Sequence, residues 1–470
     1  MAITQSAPSG RYSGQLANGI AAVSAAVPAA ADVGLQVLKD GGNAFDAAVA
    51  AALVETVWLP MKCGLAGDVV ALLQRAGGPV EALLAIGRGP LALNQGARLQ
   101  ATGPASVGGA GAPEGYAVLA AMGKRSLADL VAPAISMAEE GVQWTPVAAA
   151  LTREAETLLR QWNGRLPYLP DDRLPKAGER LQLPGLAKLL AEFASAGPML
   201  FHGRVGEVVV EHLGALGGFV AREDFLRAVA CTMPPMVTNL PDGVRLYTTP
   251  HPTQGRVLGE ALTNLNRGMS ETEAIVTARQ AFGAGGGGGT SVVTAADGEG
   301  NRVVVVHSNS FPQYGSGVVV SEYDLVLNNR PGRGFALDAP SGHWNAPGPL
   351  SIPATTLNAW HMGSDTAEFW GGTPGGENQA VWNLQTVTAL LSGAEPLDAI
   401  LRPKWGLSRA GSLVCEEDHP MRQGIGGDTV PPLGLRSALQ VLRITPEAGV
   451  TVAADPRTGA AARAVPARDD

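Results

Sequence analysis

The sequence predicts a large globular protein of the α+β class, and three observations support this prediction. Of its 470 residues, 46% are hydrophobic and only 5% are aromatic, a composition that suits a core rich in alanine and other small side chains. Segments with helical spacing of apolar residues dominate the first part of the chain. Strand-like runs separated by short turns follow a glycine tract that ends at Gly289.

The net charge, the N-terminal residues and the most apolar stretch indicate which partners and which location to expect. The formal net charge is −8 and no run of Lys or Arg is present, so nucleic acid is not expected as a partner. Residues Met1 to Gly19 lack a basic stretch followed by an apolar one, so no secretory signal is visible and the expected location is cytoplasmic. The most apolar stretch, Ala47 to Pro60, is too short to span a bilayer and contains Glu55, so no membrane association is expected.

Metal and cofactor sites have no sequence signature. The three cysteines, Cys63, Cys231 and Cys415, are odd in number and far apart, and the seven histidines show no metal-binding spacing. We therefore expect reduced thiols, no bound metal and no cofactor.

A helical hairpin is predicted near the N-terminus. Pro28–Lys39 has apolar residues at helical spacing and is followed by two glycines, which readily adopt the left-handed C-cap conformation. Asn43 then caps a second helix through Val54, with Asp46 three residues after the cap.

Most later elements are predicted as strands, because short apolar runs alternate with turn residues. The predicted strands are Val69–Leu73, Ala82–Ile86, Val244–Thr248, Thr290–Ala295, Arg302–His307, Gly317–Val320 and Leu325–Leu327, and the predicted helices are Ser126–Glu140 and about Asn378 to Leu391.

The tract Gly283–Gly289, six glycines and one alanine, divides the chain. It satisfies the GxGxxG pattern of dinucleotide-binding proteins, but a helical stretch precedes it and a strand follows, the reverse of the order that this pattern requires. A nucleotide cofactor is therefore not expected. On the residues alone, a flexible linker and a segment that permits strained backbone before Thr290 both stay open.

Thr290 begins a predicted core strand directly after this tract. The hydroxyl of a threonine at such a junction can attack the carbonyl before it, which frees the threonine amine, and hydrolysis of the resulting ester then leaves a new N-terminus. That amine, with an unperturbed pKa of about 8, can then act as the base for the hydroxyl nucleophile. The alternative is a β-branched residue that simply suits the start of a strand.

Ordered motifs lie on both sides of this junction. They are VSAAVPAAADVGLQVLKDGGNAFDAAVAAALVE and LPMKCGLAGD before it, then TSVVTAADGEGNRVVVVHSNS, YGSGVVV, LVLNN, PLSIPATT, GGTPGGENQAVWNLQ and ADPRTGAAARAV. Together they cover most of the chain and resemble the gamma-glutamyltranspeptidase family of N-terminal-nucleophile hydrolases, in its acylase-like branch. The resemblance implies a four-layer αββα sandwich with two stacked antiparallel sheets between helical layers.

The resemblance also implies self-cleavage between Gly289 and Thr290. Residues 1–289 would become a large subunit and residues 290–470 a small subunit, and the two would remain one structural unit as a heterodimer, with further oligomerisation open. No metal or cofactor is implied.

Individual roles follow from the matched motifs. Thr290 matches the nucleophile, Ser308 matches a hydroxyl that contacts the nucleophile's amine, and the glycine pair Gly375 and Gly376 matches the oxyanion hole. Arg88 matches an arginine that binds the substrate carboxylate. A plain turn, an exposed strand serine and a surface salt bridge are the alternatives for these positions. The other substrate-binding residues that the resemblance implies are Asn309, Ser310, Asn329, Arg330, Arg333 and Ser351.

The sequence departs from the family where the substrate would bind. Arg330 and Arg333 replace an acidic segment that would hold an ammonium group, and this favours an anionic or neutral substrate group. Ser351 is followed by Ile352 where the family has paired serines. We therefore expect hydrolysis or transfer of an acyl group of a small carboxylate-bearing or amide substrate through an acyl-Thr290 ester.

Two alternatives to that function stay open. One is hydrolysis of a carbon–carbon bond next to a carbonyl in antibiotic biosynthesis, a branch of secondary metabolism. The other is an unprocessed, non-catalytic homologue, because the glycine tract is shorter than the usual linker before the cleavage point in this family.

Overall fold

The computed structural model describes residues 14–282, 289–340, 342–364, 367–408, 411–423, 427–446 and 449–467. Residues 283–288 of the glycine tract therefore lie outside the described residues. The described residues form twelve α-helices: α1 (Pro28–Lys39), α2 (Ala44–Trp58), α3 (Ala112–Ala120), α4 (Leu127–Glu140), α5 (Pro146–Trp162), α6 (Pro184–Ala196), α7 (Arg204–Ala215), α8 (Gly255–Asn266), α9 (Glu271–Phe282), α10 (Arg330–Gly334), α11 (Asn378–Leu391) and α12 (Pro396–Leu401).

The same ranges contain twenty-one strands: β1 (Leu16–Gly19), β2 (Ala21–Ala25), β3 (Asp68–Gln74), β4 (Val80–Ala85), β5 (Val142–Gln143), β6 (Arg180–Leu181), β7 (Ala230–Met233), β8 (Met236–Asn239), β9 (Arg245–Thr248), β10 (Thr290–Ala296), β11 (Arg302–Ser308), β12 (Val319–Val320), β13 (Leu325–Val326), β14 (Ala359–Gly363), β15 (Glu368–Gly372), β16 (Trp405–Leu407), β17 (Leu413–Glu416), β18 (Asp428–Val430), β19 (Gln440–Thr445), β20 (Gly449–Ala454) and β21 (Ala461–Val465).

The predicted helical hairpin is confirmed as α1 and α2. The Asn43 side chain accepts hydrogen bonds from the N–H groups of Phe45 and Asp46, and the Asp46 carboxylate accepts from the Asn43 N–H, which forms a capping box. The second helix continues to Trp58 instead of ending at Val54. The helix tolerates the buried Glu55 because the carboxylate of that residue accepts a hydrogen bond from the Ala26 N–H at 2.6 Å.

Two seven-stranded antiparallel sheets form the centre of the molecule. The first sheet has the order β21-β2-β10-β11-β3-β4-β7, and the second has the order β1-β20-β19-β15-β14-β9-β8. Apolar side chains between the sheets, among them Val292, Val304, Trp370 and Leu442, form a shared core. Helices α1, α2 and α3 pack on the outer face of the first sheet, and α8 and α12 pack on the second, with α11 against α8. The four-layer αββα architecture is confirmed.

Residues on both sides of the Gly289–Thr290 junction contribute to both sheets. In the first sheet β10 lies between β2 and β11, and in the second β9 pairs with β14. The two predicted strands after β11 are shorter than expected, because β12 and β13 form a separate two-stranded sheet. No helix in the described part of the chain has the length and apolar character needed to cross a bilayer.

Candidate active site

Hydrogen bonds hold Gly289, the residue before Thr290, through both its N–H and its carbonyl oxygen. Thr290 is the first residue of β10, is 1% exposed and lies opposite Ser308 of β11. The Ser308 hydroxyl donates a hydrogen bond to the Gly289 carbonyl oxygen, and the Gly289 N–H donates to the Ser310 carbonyl oxygen at 2.9 Å. The Gly289 carbonyl is therefore fixed beside the Thr290 side chain.

Close packing requires glycine at position 289. A Cβ atom there would overlap the carbonyl oxygen of Ser310. Ser310 itself has a φ of +72°, a conformation that non-glycine residues seldom adopt and that is held here by its neighbours. One of these restraints is its N–H, which donates to the Ser308 hydroxyl oxygen at 2.8 Å.

The loop after β11 is tied to the segment that follows α2. The Asn309 N–H donates to the Lys62 carbonyl at 2.8 Å, and its side-chain Nδ2 donates to the Pro60 carbonyl at 3.1 Å. The Tyr314 N–H donates to the Met61 carbonyl at 2.9 Å. Asn309 and Ser310 thus support the backbone around the junction, while Asn309 Oδ1 and Ser310 Oγ are buried and have no hydrogen-bond partner within the described part of the chain.

Gly375 and Gly376 lie between β15 and α11 and face the same cavity as Thr290. Their φ angles are +138° and +58°, which favour glycine, and a Cβ on Gly375 would overlap the Trp382 ring. Among the described residues, neither N–H donates a hydrogen bond. Two unused donors next to the N-terminus of a helix form a favourable environment for a developing negative charge.

The buried amide of Gln379, in α11, lies next to the Thr290 hydroxyl. Its hydrogen bonds are satisfied when its nitrogen faces the carbonyl oxygens of Thr373 and Thr356, at 3.2 and 3.0 Å. In this orientation the amide oxygen lies 3.4 Å from Thr290 Oγ1 and accepts from Thr356 Oγ1 at 3.2 Å. Gln379 was not predicted as a site residue, although it lies within the GGTPGGENQ motif.

A cavity of about 420 Å³ opens at Thr290. Of the residues predicted from sequence, Gly289, Thr290, Gly375, Gly376 and Arg333 lie on its wall. Other wall residues were not predicted, and they include Lys62, Glu154, Phe311, Glu377, Trp382 and Arg436.

The family model described as gamma-glutamyltranspeptidase matches two segments, residues 30–280 and 268–465. The chain belongs to the gamma-glutamyltranspeptidase family. The cephalosporin acylase of Bacillus halodurans has a similar structure, with a TM-score of 0.84, 26% identity and coverage of 100% of both chains.

Curated relatives agree with this assignment. A glutathione hydrolase-like proenzyme, YwrD of Bacillus subtilis, is 26% identical over 92% of this chain and 96% of its own length. The oxamate amidohydrolase proenzyme of Klebsiella pneumoniae is 28% identical over 80% of this chain and 83% of its own length. This gamma-glutamyltranspeptidase-family protein thus has the N-terminal-nucleophile hydrolase fold, and its relatives are hydrolytic enzymes.

Six of the seven residues that the family resemblance predicted for substrate binding are not on the cavity wall, and two of them, Asn309 and Ser310, support the loop described above. Arg88 is half-buried, and its Nε atom has no hydrogen-bond partner in the ranges that the structure describes. Asn329 donates through Nδ2 to the carbonyl oxygens of Ala101 and Phe311, both at 2.8 Å. Ser351 is exposed, and its carbonyl accepts from the Gly89 N–H.

Arg330, the last of the six, forms a buried ion pair instead of facing the cavity. Its Nε donates to Asp68 Oδ2 at 2.6 Å, and Asp68 Oδ1 accepts from the Gly87 N–H at 2.7 Å. Burial raises the pKa of Asp68, and the Arg330 charge opposes that rise. Arg333, by contrast, is exposed at the cavity with its guanidinium 5.7 Å from the centre of the Phe311 ring. Arg330 and Arg333 were both predicted to bind the substrate, but only Arg333 lies at the cavity.

A second buried polar network lies on the opposite face of β11. His307 Nε2 is 2.7 Å from Glu55 Oε2, and His307 Nδ1 is 2.7 Å from the Tyr116 hydroxyl. Glu55, Cys63 and His307 each have one possible metal-ligand atom in this network, and the three atoms lie within 4.8 Å of one another. Both histidine nitrogens are already engaged, so the arrangement is satisfied as a hydrogen-bond network. This network was not predicted from the sequence, because its members are far apart in the chain.

Proposed function

We propose that this protein cleaves itself between Gly289 and Thr290 and then uses Thr290 as the nucleophile of an acyl hydrolase. The observation that carries this proposal is the hydrogen bond from the Ser308 hydroxyl to the Gly289 carbonyl, directly before the buried Thr290 hydroxyl. A donor at this oxygen stabilises the negative charge that develops when the carbonyl is attacked.

In the self-cleavage step, Thr290 Oγ1 attacks the Gly289 carbonyl carbon and the peptide C–N bond breaks. The hydroxyl proton passes to the departing Thr290 nitrogen, which leaves Gly289 as an ester on the threonine oxygen. The Thr290 amine is then free, and water hydrolyses the ester, which releases the Gly289 carboxylate and restores the Thr290 hydroxyl. The word proenzyme in the names of two relatives supports such processing.

In the catalytic step, the Thr290 amine accepts the hydroxyl proton as the oxygen attacks the substrate's acyl carbonyl. The unused N–H groups of Gly375 and Gly376 would stabilise the tetrahedral oxyanion. The leaving group departs with the proton, and water releases the acyl group from Thr290. The expected substrate is a small amide with a carboxylate-bearing acyl group, and the relatives named as an oxamate amidohydrolase and a cephalosporin acylase support this class.

The fragments 1–289 and 290–470 would stay together after cleavage. Strand β10 of the second fragment pairs with β2 of the first, and β11 pairs with β3, so separation would break the first sheet. The product would be a heterodimer with one shared core.

Intact mass measurement of the purified protein, with denaturing electrophoresis, tests the cleavage. We expect two fragments, the second beginning at Thr290, and a whole chain for Thr290→Ala. A wild-type chain that stays whole during prolonged incubation would contradict the proposal.

A substrate panel on the processed protein tests the reaction. We expect turnover of amides whose acyl group carries a carboxylate, and no turnover by Thr290→Ala. Consumption of a 1,3-dicarbonyl compound with no amide hydrolysis would contradict an amide hydrolase and favour carbon–carbon bond cleavage.

A further inference from the structure

Lys62 presents its side chain to the cavity from a rigid segment. Its N–H donates to the Leu59 carbonyl at 2.8 Å, and its carbonyl accepts from the Asn309 N–H at 2.8 Å. The preceding Met61 carbonyl lies beside Gly289, within 3.5 Å of where a Cβ on that glycine would be. The backbone of Lys62 is therefore fixed both to the end of α2 and to the loop that supports the cleavage junction.

The charges on the cavity wall leave Lys62 without a counterion. The two wall carboxylates are each paired with an arginine, Glu154 with Arg436 and Glu377 with Arg279. Among the described residues, the Lys62 ammonium makes no hydrogen bond or ion pair. Arg333 also has no carboxylate partner in the described ranges, but its side chain is exposed, whereas Lys62 is half-buried.

The buried acid Glu55 makes no hydrogen bond or ion pair with Lys62. Glu55 interacts with it only through space, because the Glu55 oxygens accept from the Ala26 N–H at 2.6 Å and contact His307 at 2.7 Å. Burial lowers the pKa of Lys62, and the nearby Arg436 adds to that effect, while Glu55 and the Cys63 thiol oppose it. A partly desolvated ammonium without a partner gains free energy when an anion enters the cavity.

We propose that Lys62 binds the anionic group of the substrate's acyl chain, so that the cavity selects acyl groups that end in an ionised carboxylate. The family resemblance predicted carboxylate binding by Arg88, but Arg88 is not on the wall of this cavity, whereas Lys62 is. The inference rests on the proposed function, because it concerns the same cavity as Thr290.

Matched p-nitroanilide substrates test this selectivity. Malonyl, succinyl, glutaryl and adipyl anilides carry a terminal carboxylate at increasing distances, and their terminal primary amides are neutral counterparts. We compare the ratio of kcat/KM for each charged and neutral pair in processed wild type, Lys62→Met, Lys62→Arg and the control Lys39→Met. Lys39 is an exposed lysine at the end of α1, away from the cavity.

We expect Lys62→Met to lower the charged-to-neutral ratio by about 10- to 100-fold, the range for a hydrogen bond to a charged group. Lys62→Arg should retain most of the preference, and Lys39→Met should leave it unchanged. Equal loss of both substrates in Lys62→Met, or an unchanged ratio, overturns the proposal.

A binding measurement separates this inference from the proposed function. Calorimetric titration of each protein with the free dicarboxylates, malonate to adipate, reports binding without turnover. Weaker dicarboxylate binding by Lys62→Met with no amide hydrolysis by any variant would support the Lys62 site and reject the hydrolase. Hydrolysis with dicarboxylate binding that does not depend on Lys62 would reject the Lys62 site alone.

Discussion

The Ser308 hydroxyl donates a hydrogen bond to the carbonyl oxygen of Gly289, the residue directly before Thr290. Ser308 Oγ also accepts from the Ser310 N–H at 2.8 Å, which directs its single hydrogen toward that carbonyl. Ser308, which the β10–β11 hairpin brings beside Gly289, thus polarises the peptide bond that the proposed function requires to break.

Ser308→Ala should slow self-cleavage by about 100-fold or more, because it removes a donor from the oxygen that becomes negatively charged. The measurement is the fraction of whole chain over time by denaturing electrophoresis, with Ser308→Thr as the control that keeps a hydroxyl. Cleavage of Ser308→Ala at the wild-type rate would show that this hydrogen bond plays no part in processing.

Gly289→Ala should also impair self-cleavage, for a steric reason. A Cβ at this position overlaps the Ser310 carbonyl oxygen, so the junction must shift away from Ser308. Gly164→Ala is the matched control, because a Cβ there has no neighbouring atom within 4 Å. We expect slow or absent cleavage for the first variant and normal cleavage for the second; equal rates in the same electrophoretic assay would contradict the steric argument.

Local sequence signals predicted the elements around the junction correctly. The cap at Asn43 and the strand-turn-strand pattern after Thr290 depend on residues a few positions apart, which the sequence displays directly. The family resemblance supplied the order of the layers, which the local signals did not.

The cavity wall was harder to predict because long-range packing determines it. Arg330 and Arg333 are three residues apart, yet Asp68 binds one inside the protein while the other reaches the cavity. Lys62 reaches the wall because the segment after α2 is tied to the loop after β11. Neither partnership leaves a periodic or spacing signal in the sequence.

Arg330→Met should destabilise the protein by about 3–5 kcal/mol, because it leaves the Asp68 carboxylate buried without its partner. Urea unfolding in the Thr290→Ala background, which keeps the chain whole under the proposed function, gives the free energy of unfolding. The control is Arg75→Met, which breaks an exposed pair with Glu81 and should cost under about 1 kcal/mol. Similar costs for both variants would show that the buried pair contributes no more than the exposed one.

Lys404 should make the stability of this protein depend on pH. The lysine is 1% exposed, and burial, aided by the nearby Arg457 charge, lowers its pKa to about 7 despite the neighbouring carboxylates Asp455 and Glu416. In the unfolded chain its pKa is about 10.4. Between these values the unfolded state binds more protons, so the free energy of unfolding rises with pH, by up to about 1.4 kcal/mol per pH unit.

Lys404→Met removes this contribution. The free energy of unfolding of the parent chain minus that of Lys404→Met should therefore increase from pH 7 to pH 9, and it should stay constant below pH 6, where the lysine is protonated in both states. Urea unfolding at these pH values in the Thr290→Ala background measures the difference, with Lys39→Met as the exposed control, for which it should not vary. A difference for Lys404→Met that is the same at pH 7 and pH 9 would show that the buried lysine stays charged throughout, because its carboxylate neighbours outweigh the cost of burial.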